Sequence, residues 1–306
     1  MIELIKNTKI DFMGKKKYAF MVSGALTALG IFALIQIAMG HANLGVDFAG
    51  GTAVQIKFGK TVPLHDVRVA LEDSGLKDFD LQDLPTENKI LVRVKKQEEK
   101  LGGASEVITQ VLSKKFADQK PVVDSTTEIG PKVGTRLRQD AIWAVGMATL
   151  GILIYVAWRF QIRFGVGATI ATFHDVLAVL GIFYLLNKEI NLIIVTALLT
   201  LAGYSLTDTV VVFDRVRENM KRYLKDPIND VVNRSINEVL SRTIVTSLTV
   251  FLSALAMFLF GGEVIHDFAL AMLLGVVVGT YSSVFVASPV VIVLGSNKQP
   301  LSSKKS

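Results

Sequence analysis

Asp208 is a carboxylate inside an apolar run, and Arg242 stands where a later apolar run begins. Every other residue of 192–213 is apolar, small or hydroxyl-bearing. A carboxylate at the centre of a membrane-spanning helix costs about 2.5–3.5 kcal/mol, so a chain that keeps one usually uses it. The simplest use is a proton or cation site. An ionised Asp208 needs a counter-ion, and Arg242 is the natural candidate.

Hydroxyl groups flank the carboxylate. Ser205 and Thr209 lie in its own run, and Thr246 and Ser247 follow Arg242. Such a layer is able to carry hydrogen bonds or water to the carboxylate. Two plainer interpretations stay open from these residues alone. Asp208 could be only a buried hydrogen-bond site between helices. Arg242 could be only a basic anchor at the membrane interface.

A second ionisable pair, His174 and Asp175, lies near the middle of the run 164–186. The residue types fit either a further proton-relay station or polar groups used for packing. The chain has no cysteine, no nucleotide-binding motif and no histidines at metal-ligand spacing. We therefore expect no enzyme, no metal and no cofactor. The expected energy source is an ion gradient, with H⁺ and Na⁺ both open.

Six apolar runs position these residues. The chain is 51% hydrophobic with a mean hydropathy of +0.46, which exceeds that of ordinary soluble domains. Each run is long enough to be a transmembrane helix. The predicted spans are 18–39, 141–158, 164–186, 192–213, 244–260 and 268–294.

Basic residues predict the orientation. Segments 1–17, 159–163, 214–242 and 295–306 together hold 17 Lys and Arg against 7 Asp and Glu, whereas 40–140 holds 15 of each. By the positive-inside rule, both termini are cytoplasmic and 40–140 is external. The net charge of +6 is then a signal of topology, and nucleic-acid binding is excluded as its explanation.

The external segment 40–140 predicts one small α+β domain. Alternation and turn residues indicate strands at 52–58, 79–84, 89–94 and 122–129, with a hairpin turn at 85–88. Helical spacing indicates helices at 64–74 and 104–116. The order βαββαβ is that of the split βαβ, ferredoxin-like fold. On the cytoplasmic side, 214–242 predicts an amphipathic helical segment that joins the helix of Asp208 to that of Arg242.

Three stretches resemble signatures of the SecD/SecF family, in the RND superfamily. The sequence GVDFAGGT at 45–52 resembles the motif that opens the first external domain of that family. TDTVVVFDRVREN at 207–219 resembles the signature of its fourth helix, and the residues 235–243 resemble the entry to its fifth. The signature residues of these stretches include Gly45, Asp47, Gly50, Gly51, Asp214 and Arg215.

The resemblance implies a function that spacing alone does not give. Members of this family work as a pair of subunits. The plan of this chain, one span, one external domain and five spans, is that of one subunit, so the expected partner is a SecD subunit that completes twelve helices. The pair works with the SecYEG channel, with YajC and YidC as further partners, in the bacterial inner membrane. The proton-motive force then promotes the translocation of preproteins and their release on the outer side of the membrane. The segment 40–140 is the part expected to contact the preprotein. The resemblance makes Asp208 and Arg242 the proton-relay residues.

Two other functions remain as alternatives. One is half of an RND-type small-molecule exporter, although a domain of about 100 residues leaves little room for a drug pocket. The other is a structural subunit that stabilises a channel without energy coupling. Replacing Asp208 distinguishes the structural subunit, because only a coupled subunit requires its charge. A drug-susceptibility test of a deletion strain distinguishes the exporter.

Overall fold

The computed structural model describes residues 8–76, 79–84, 88–94, 103–159 and 162–295, without the side chains of 263 and 264. The chain divides into two compact units. The helical unit comprises the chain up to Asn43, Ala144–Lys188 and the residues from Ile193 onward. The sheet domain comprises Leu44–Trp143 together with the short segment Glu189–Leu192.

The helices and strands are α1 (Lys16–Ala38), α2 (Val46–Ala49), β1 (Gly51–Lys57), α3 (Leu64–Asp73), β2 (Phe79–Leu84), β3 (Lys89–Val94), α4 (Ala104–Lys115), β4 (Val122–Ile129), α5 (Pro131–Arg159), α6 (Ile162–Leu185), α7 (Leu192–Arg222), α8 (Ile228–Phe260), α9 (Gly262–Ser282) and α10 (Ser288–Gly295). The predicted helices and strands occur in the predicted order, and the short α2 and the division of the last predicted span into α9 and α10 are additional.

The sheet domain confirms the ferredoxin-like prediction. Its four strands are all antiparallel neighbours in the order β2-β3-β1-β4, with α3 and α4 as the two crossover helices. Val54 and Ile56 alternate inward from β1 onto Val67, Leu71 and other residues of the helices. This period-two pattern is what allowed the strands to be predicted. Residues 85–87 of the predicted hairpin turn lie outside the described residues.

Among the described residues, six stretches are long and apolar enough to cross a membrane. They are α1, α5, α6, α7, α8 and Ile265–Leu294, which runs through α9 and α10. In the most apolar part of each stretch, the share of buried residues is 61% in α6, 50% in α7 and 67% in the last stretch. The share is only 17% in α1, 6% in α5 and 17% in α8. The core of the helical unit therefore lies among α6, α7 and α9–α10.

Three helices extend beyond the apolar runs that predicted them. α5 begins at Pro131, ten residues before the predicted span, and α7 continues past residue 213 to Arg222. The predicted segment 214–242 is instead the end of α7 and the start of α8. No glycine or proline interrupts Ile228–Phe260, so the amphipathic first part of α8 continues directly into its apolar second part. Its apolar face, with Val232 and Ile236, is buried against α7.

The segment before α1 is bound to α8 by two asparagines. Asn233 Oδ1 accepts hydrogen bonds from the amides of Phe12 and Met13 at 3.0 and 2.9 Å. Asn237 accepts from the Ile10 amide at 3.0 Å and donates to the Ile10 carbonyl at 2.9 Å. Asn233 also donates to Asp11 at 2.7 Å, and this bond and that from the Gly14 amide lower the pKa of Asp11.

Candidate functional site

Asp208 lies on the face of α7 that meets the hydroxyl groups of α8. Ser247 Oγ donates to Asp208 Oδ2 at 3.0 Å, and Thr246 Oγ1 lies 3.3 Å from Oδ1. Asp208 is 4% exposed. Within the described ranges, no Lys, Arg or His forms a salt bridge with it. The carboxylate is thus buried with hydroxyl dipoles, and not a cation, in direct contact.

A hydroxyl contact extends this site to a third helix. Thr280 of α9 places its Oγ1 2.8 Å from Ser247 Oγ, which in turn bonds Asp208. Hydrogen-bonded hydroxyls reorient by rotation about one bond, so this arrangement is able to change with the charge of the carboxylate. α7, α8 and α9 therefore meet at Asp208 through groups that both donate and accept.

Arg242 lies on α8, one turn before Thr246, and its residue is exposed. In the part of the chain that the structure describes, the expected ion pair with Asp208 is not formed. Thr246 links the two residues instead, because its hydroxyl lies 3.1 Å from the Arg242 carbonyl oxygen as well as near Asp208.

Arg242 lines a cavity of about 640 Å³ between α5, α7 and α8. The signature residues Asp214 and Arg215 lie in the same wall. Asp214 pairs with Arg159 at 3.5 Å, and Arg215 pairs with Glu238 at 2.5 Å. The chain thus places a charged, water-accessible cavity beside the helix that carries Asp208.

His174 and Asp175 form a separate cluster in the core of the helical unit. Asp175 is fully buried and accepts hydrogen bonds from His174 Nδ1 at 2.9 Å and Ser282 Oγ at 2.8 Å, and also from Ser205 Oγ. Gly279 leaves room for this cluster, since a Cβ there would lie 3.2 Å from Ser205 Oγ. The predicted hydroxyl layer therefore divides, because Ser205 serves Asp175 whereas Thr246 and Ser247 serve Asp208.

Sequence reasoning missed the polar residues at the end of α9 and at the start of the turn that follows it. Thr280 reaches the Asp208 site, Ser282 reaches Asp175, and Ser283 lies 2.9 Å from Thr209 of α7. The signal was present as four adjacent polar side chains, TYSS, inside an apolar run. A π-helical turn, Ser283–Ala287, follows at once. Such turns occur often at functional sites.

The remaining signature residues lie in the sheet domain. Gly45 and Asp47 flank the first residue of α2, and Gly50 and Gly51 lead into β1. Gly50 has a φ of +72°, which favours glycine. No group of three or more metal-ligating side chains occurs among the described residues. His41 contacts the side chain of Gln36 at 3.2 Å.

One span, a ferredoxin-like domain and five further spans, with carboxylates buried between the helices, define a multi-pass membrane protein with the plan of an RND-type half. The family model described as "Protein export membrane protein SecD/SecF, C-terminal" matches residues 108–297, and "SecD/SecF GG Motif" matches residues 42–62. The chain belongs to the SecD/SecF family.

Curated relatives share almost the whole chain. "Protein translocase subunit SecF" of Thermodesulfovibrio yellowstonii is 58% identical over 97% of this chain and 98% of its own. The protein of the same name from Calditerrivibrio nitroreducens is 42% identical over 96% of this chain and 97% of its own. The chain is therefore of the SecF type, a subunit of the protein translocase.

Two solved structures share the fold. The crystal structure of SecDF, a translocon-associated membrane protein from Thermus thermophilus, is 36% identical with a TM-score of 0.84 over 95% of this chain. SecDF in a super-membrane-facing form gives a TM-score of 0.70 over 96% of this chain at the same identity. The chain spans about 40% of the length of these SecDF chains.

Proposed function

We propose that this chain is the proton-coupling subunit of a bacterial protein-export complex. With SecD, it uses the proton-motive force to promote preprotein movement and release on the outer side of the inner membrane. This step follows ATP-driven transport through SecYEG. The translocase name of its relatives supports the process. The observation that carries the coupling is Asp208, a buried carboxylate whose direct partners are hydroxyls on another helix.

The proposed orientation places both termini in the cytoplasm. The basic segments support it, as the positive-inside rule requires. A second support is independent of charge. Asn233 and Asn237 bind residues 10–13, so the start of α1 and the turn between α7 and α8 share one side of the membrane. The cavity beside Arg242 then opens toward the cytoplasm, and the sheet domain is external.

Protonation of Asp208 is the proposed switch. The ionised carboxylate accepts hydrogen bonds from Ser247 and Thr246 and holds α7 against α8. Protonation removes the charge that favours those bonds, and Thr246 retains the carbonyl of Thr243, 2.9 Å away, as an acceptor. The contact between the two helices therefore weakens. One charge crossing 100 mV releases about 2.3 kcal/mol, enough to bias an equilibrium between two helix arrangements.

Arg242 has a role without direct contact in this scheme. Its side chain lines the cavity beside the helix that carries Asp208, and a positive charge near a carboxylate favours the ionised form. It also repels cations that enter from the same side. Arg242 thereby helps the carboxylate to release its proton toward the cytoplasmic cavity, and the absence of a direct ion pair keeps the carboxylate free to take up the next proton.

The exposed faces of α7 and α8 support a SecD partner. Small or hydroxyl side chains are exposed along both helices, where lipid would favour large apolar ones. On α7 they include Thr200, Gly203 and Thr207, and on α8 they include Thr249 and Ser253. The polar faces suit close packing against other membrane helices, and the solved SecDF chains extend well beyond the part matched here.

The decisive variant is Asp208→Asn, which keeps the side-chain size and removes the ionisable group. In membrane vesicles that contain the complete export complex, gradient-stimulated preprotein export is expected to fall to the level measured without a gradient. Export driven by ATP alone stays unchanged. The measurement compares export with and without a proton ionophore, at equal amounts of the subunit.

Asp66→Asn provides the matched control, because Asp66 is an exposed carboxylate on α3. It should export as the wild type does. Full gradient stimulation in Asp208→Asn at normal complex assembly would refute the proposal. A stimulation that follows a sodium gradient and persists with the proton ionophore would replace H⁺ by Na⁺ as the coupling ion.

A further inference from the structure

Asp47 of the glycine-rich signature contacts the first residue of α7. Its Oδ2 accepts a hydrogen bond from the Leu192 amide at 3.0 Å, although 145 positions separate the two residues. The first amides of a helix have no partner within the helix, and a carboxylate that accepts from one of them caps the helix as an N-cap side chain does. The negative charge also suits the positive end of the helix dipole. Asp47 thus caps α7 from a distant part of the chain.

Further contacts hold the same entry segment in the sheet domain. The Gly45 amide donates to the Ile190 carbonyl at 3.0 Å, and Leu44 forms a parallel bridge with Ile190. Arg93 of β3 forms a salt bridge with Glu189, and both side chains are largely buried. A side chain at Gly45 would collide with Glu189, so the close approach requires glycine. Glu189–Leu192 consequently belongs to the sheet domain.

The same signature packs against the start of α5. At Gly50 a Cβ would lie 3.1 Å from Pro131 Cα, and at Gly134 a Cβ would lie 3.1 Å from the Gly50 amide nitrogen. The signature therefore contacts the first residues of two long helices, α5 and α7. Both helices continue from here into the helical unit without a proline after their first residue.

α7 links this cap to the proton site through one continuous helix. Sixteen residues separate Leu192 from Asp208, about 24 Å at 1.5 Å per residue. A displacement of the helix at Asp208 is therefore transmitted to its capped end, provided that the cap holds. Loss of the cap frees the first turn of α7 and lets the sheet domain lag behind the helix.

We propose that Asp47 is a positioning residue that couples the sheet domain to α7, so that a protonation change at Asp208 moves the domain. The proposal rests on the proposed proton coupling at Asp208 and assigns a task to the signature motif. Asp47 acts as a hydrogen-bond acceptor. Its ability to ionise is not required, which separates its role from that of Asp208.

The test compares Asp47→Asn with Asp47→Ala in the full chain within the assembled complex. Asparagine is as good an N-cap as aspartate, whereas alanine has no acceptor. Asp47→Asn is expected to retain gradient-stimulated export and Asp47→Ala to lose it. Hydrogen exchange of the peptide that contains Leu192 is expected to accelerate about tenfold in Asp47→Ala alone, as loss of a cap predicts.

Equal loss of export in both variants would overturn the proposal, because asparagine preserves the acceptor. Retained export in Asp47→Ala would overturn it as well. The exchange measurement does not depend on export, so it still tests the cap if Asp208→Asn shows that the proton proposal is wrong. Unchanged exchange in Asp47→Ala would show that Asp47 does not cap α7.

A covalent link provides a second test, since the chain has no cysteine of its own. Leu44→Cys with Ile190→Cys places a cysteine pair at bridge partners, a separation that suits a disulfide. In the Asp47→Ala background, oxidation of this pair is expected to restore gradient-stimulated export, and reduction to abolish it again. An oxidised pair that leaves export at the Asp47→Ala level would overturn the coupling role.

Discussion

Asp175 and Asp208 are both carboxylates buried in the helical unit, and they differ in how their neighbours hold them. Asp175 is fully buried and accepts from His174, Ser205 and Ser282, which belong to three helices. Asp208 retains slight exposure, and both of its donors belong to α8. The first carboxylate joins three helices, whereas the second depends on one contact between two helices.

This difference indicates which carboxylate is suited to each task. A charge with donors on all sides is stabilised in place, and a change of its protonation disturbs several helices at once. A charge with donors on one side changes one contact. We infer that Asp175 serves packing within the core and that Asp208 is the site that titrates during export. Of the two interpretations of His174 and Asp175 left open by the sequence, the hydrogen bonding favours packing.

Asp175→Ala should have the largest effect on stability. It leaves the Ser205 hydroxyl and the His174 imidazole without their acceptor, whereas Ser282 keeps the Gly279 carbonyl 3.1 Å away. The expected loss is about 3 kcal/mol. Asp208→Ala should cost less, because one of the two donors it leaves, Thr246, also has carbonyl acceptors within its own helix. Thermal unfolding of the detergent-solubilised protein measures both. The comparison fails if Asp208→Ala is the less stable variant.

Single hydroxyl deletions should divide in the same way, with smaller effects. Ser205→Ala removes one bond to a buried carboxylate and should lower stability by about 1.5–3 kcal/mol without changing the ratio of export with and without a gradient. Ser247→Ala should lower that ratio and cost less stability than Ser205→Ala, because Asp208 retains slight exposure to solvent whereas Asp175 has none. Paired unfolding and vesicle export measurements test this, and an exchange of the two phenotypes would reverse our assignment of the carboxylates.

Replacing Asp11, a carboxylate exposed to solvent, gives the smallest expected effect on stability. The Gly14 amide and the Asn233 side chain lower the pKa of Asp11 below its unfolded-state value. Its contribution to stability is therefore complete above the unfolded-state pKa and is lost as the pH falls through the folded one. Asp11→Asn should slightly reduce stability at neutral pH and leave it unchanged in strong acid. If the pKa of Asp11 is not lowered, the stabilities of the wild type and Asp11→Asn would not converge at low pH.

Much of this architecture was predictable because it depends on local patterns. The alternating residues of β1 and the spacing of α3 and α4 predicted the ferredoxin-like domain almost to the residue. Asp208 was predictable because a single charge in an apolar run is conspicuous. Its hydroxyl neighbours Thr246 and Ser247 were predictable from their position after Arg242.

The rest depended on long-range packing that local patterns do not encode. Ser282 meets Asp175 across 107 positions, and a serine in an apolar helix gives little indication of its partner. The helix ends were equally hidden, because α5 and α7 continue through polar sequence with no residue that stops them. The expected contact of Arg242 with Asp208 did not form, since the arginine side chain extends into the cavity and Thr246 occupies the place beside the carboxylate.

The N-terminal segment binds α8 mainly through uncharged amide groups. All but one of the hydrogen bonds from Asn233 and Asn237 join neutral partners, the exception being the bond to Asp11. Ions in solution screen exposed charges within about 10 Å at 0.1 M salt but leave neutral hydrogen bonds nearly unaffected. The attachment of residues 10–13 to α8 should therefore persist over a wide range of ionic strength, while the exposed ion pair of Arg159 with Asp214 weakens.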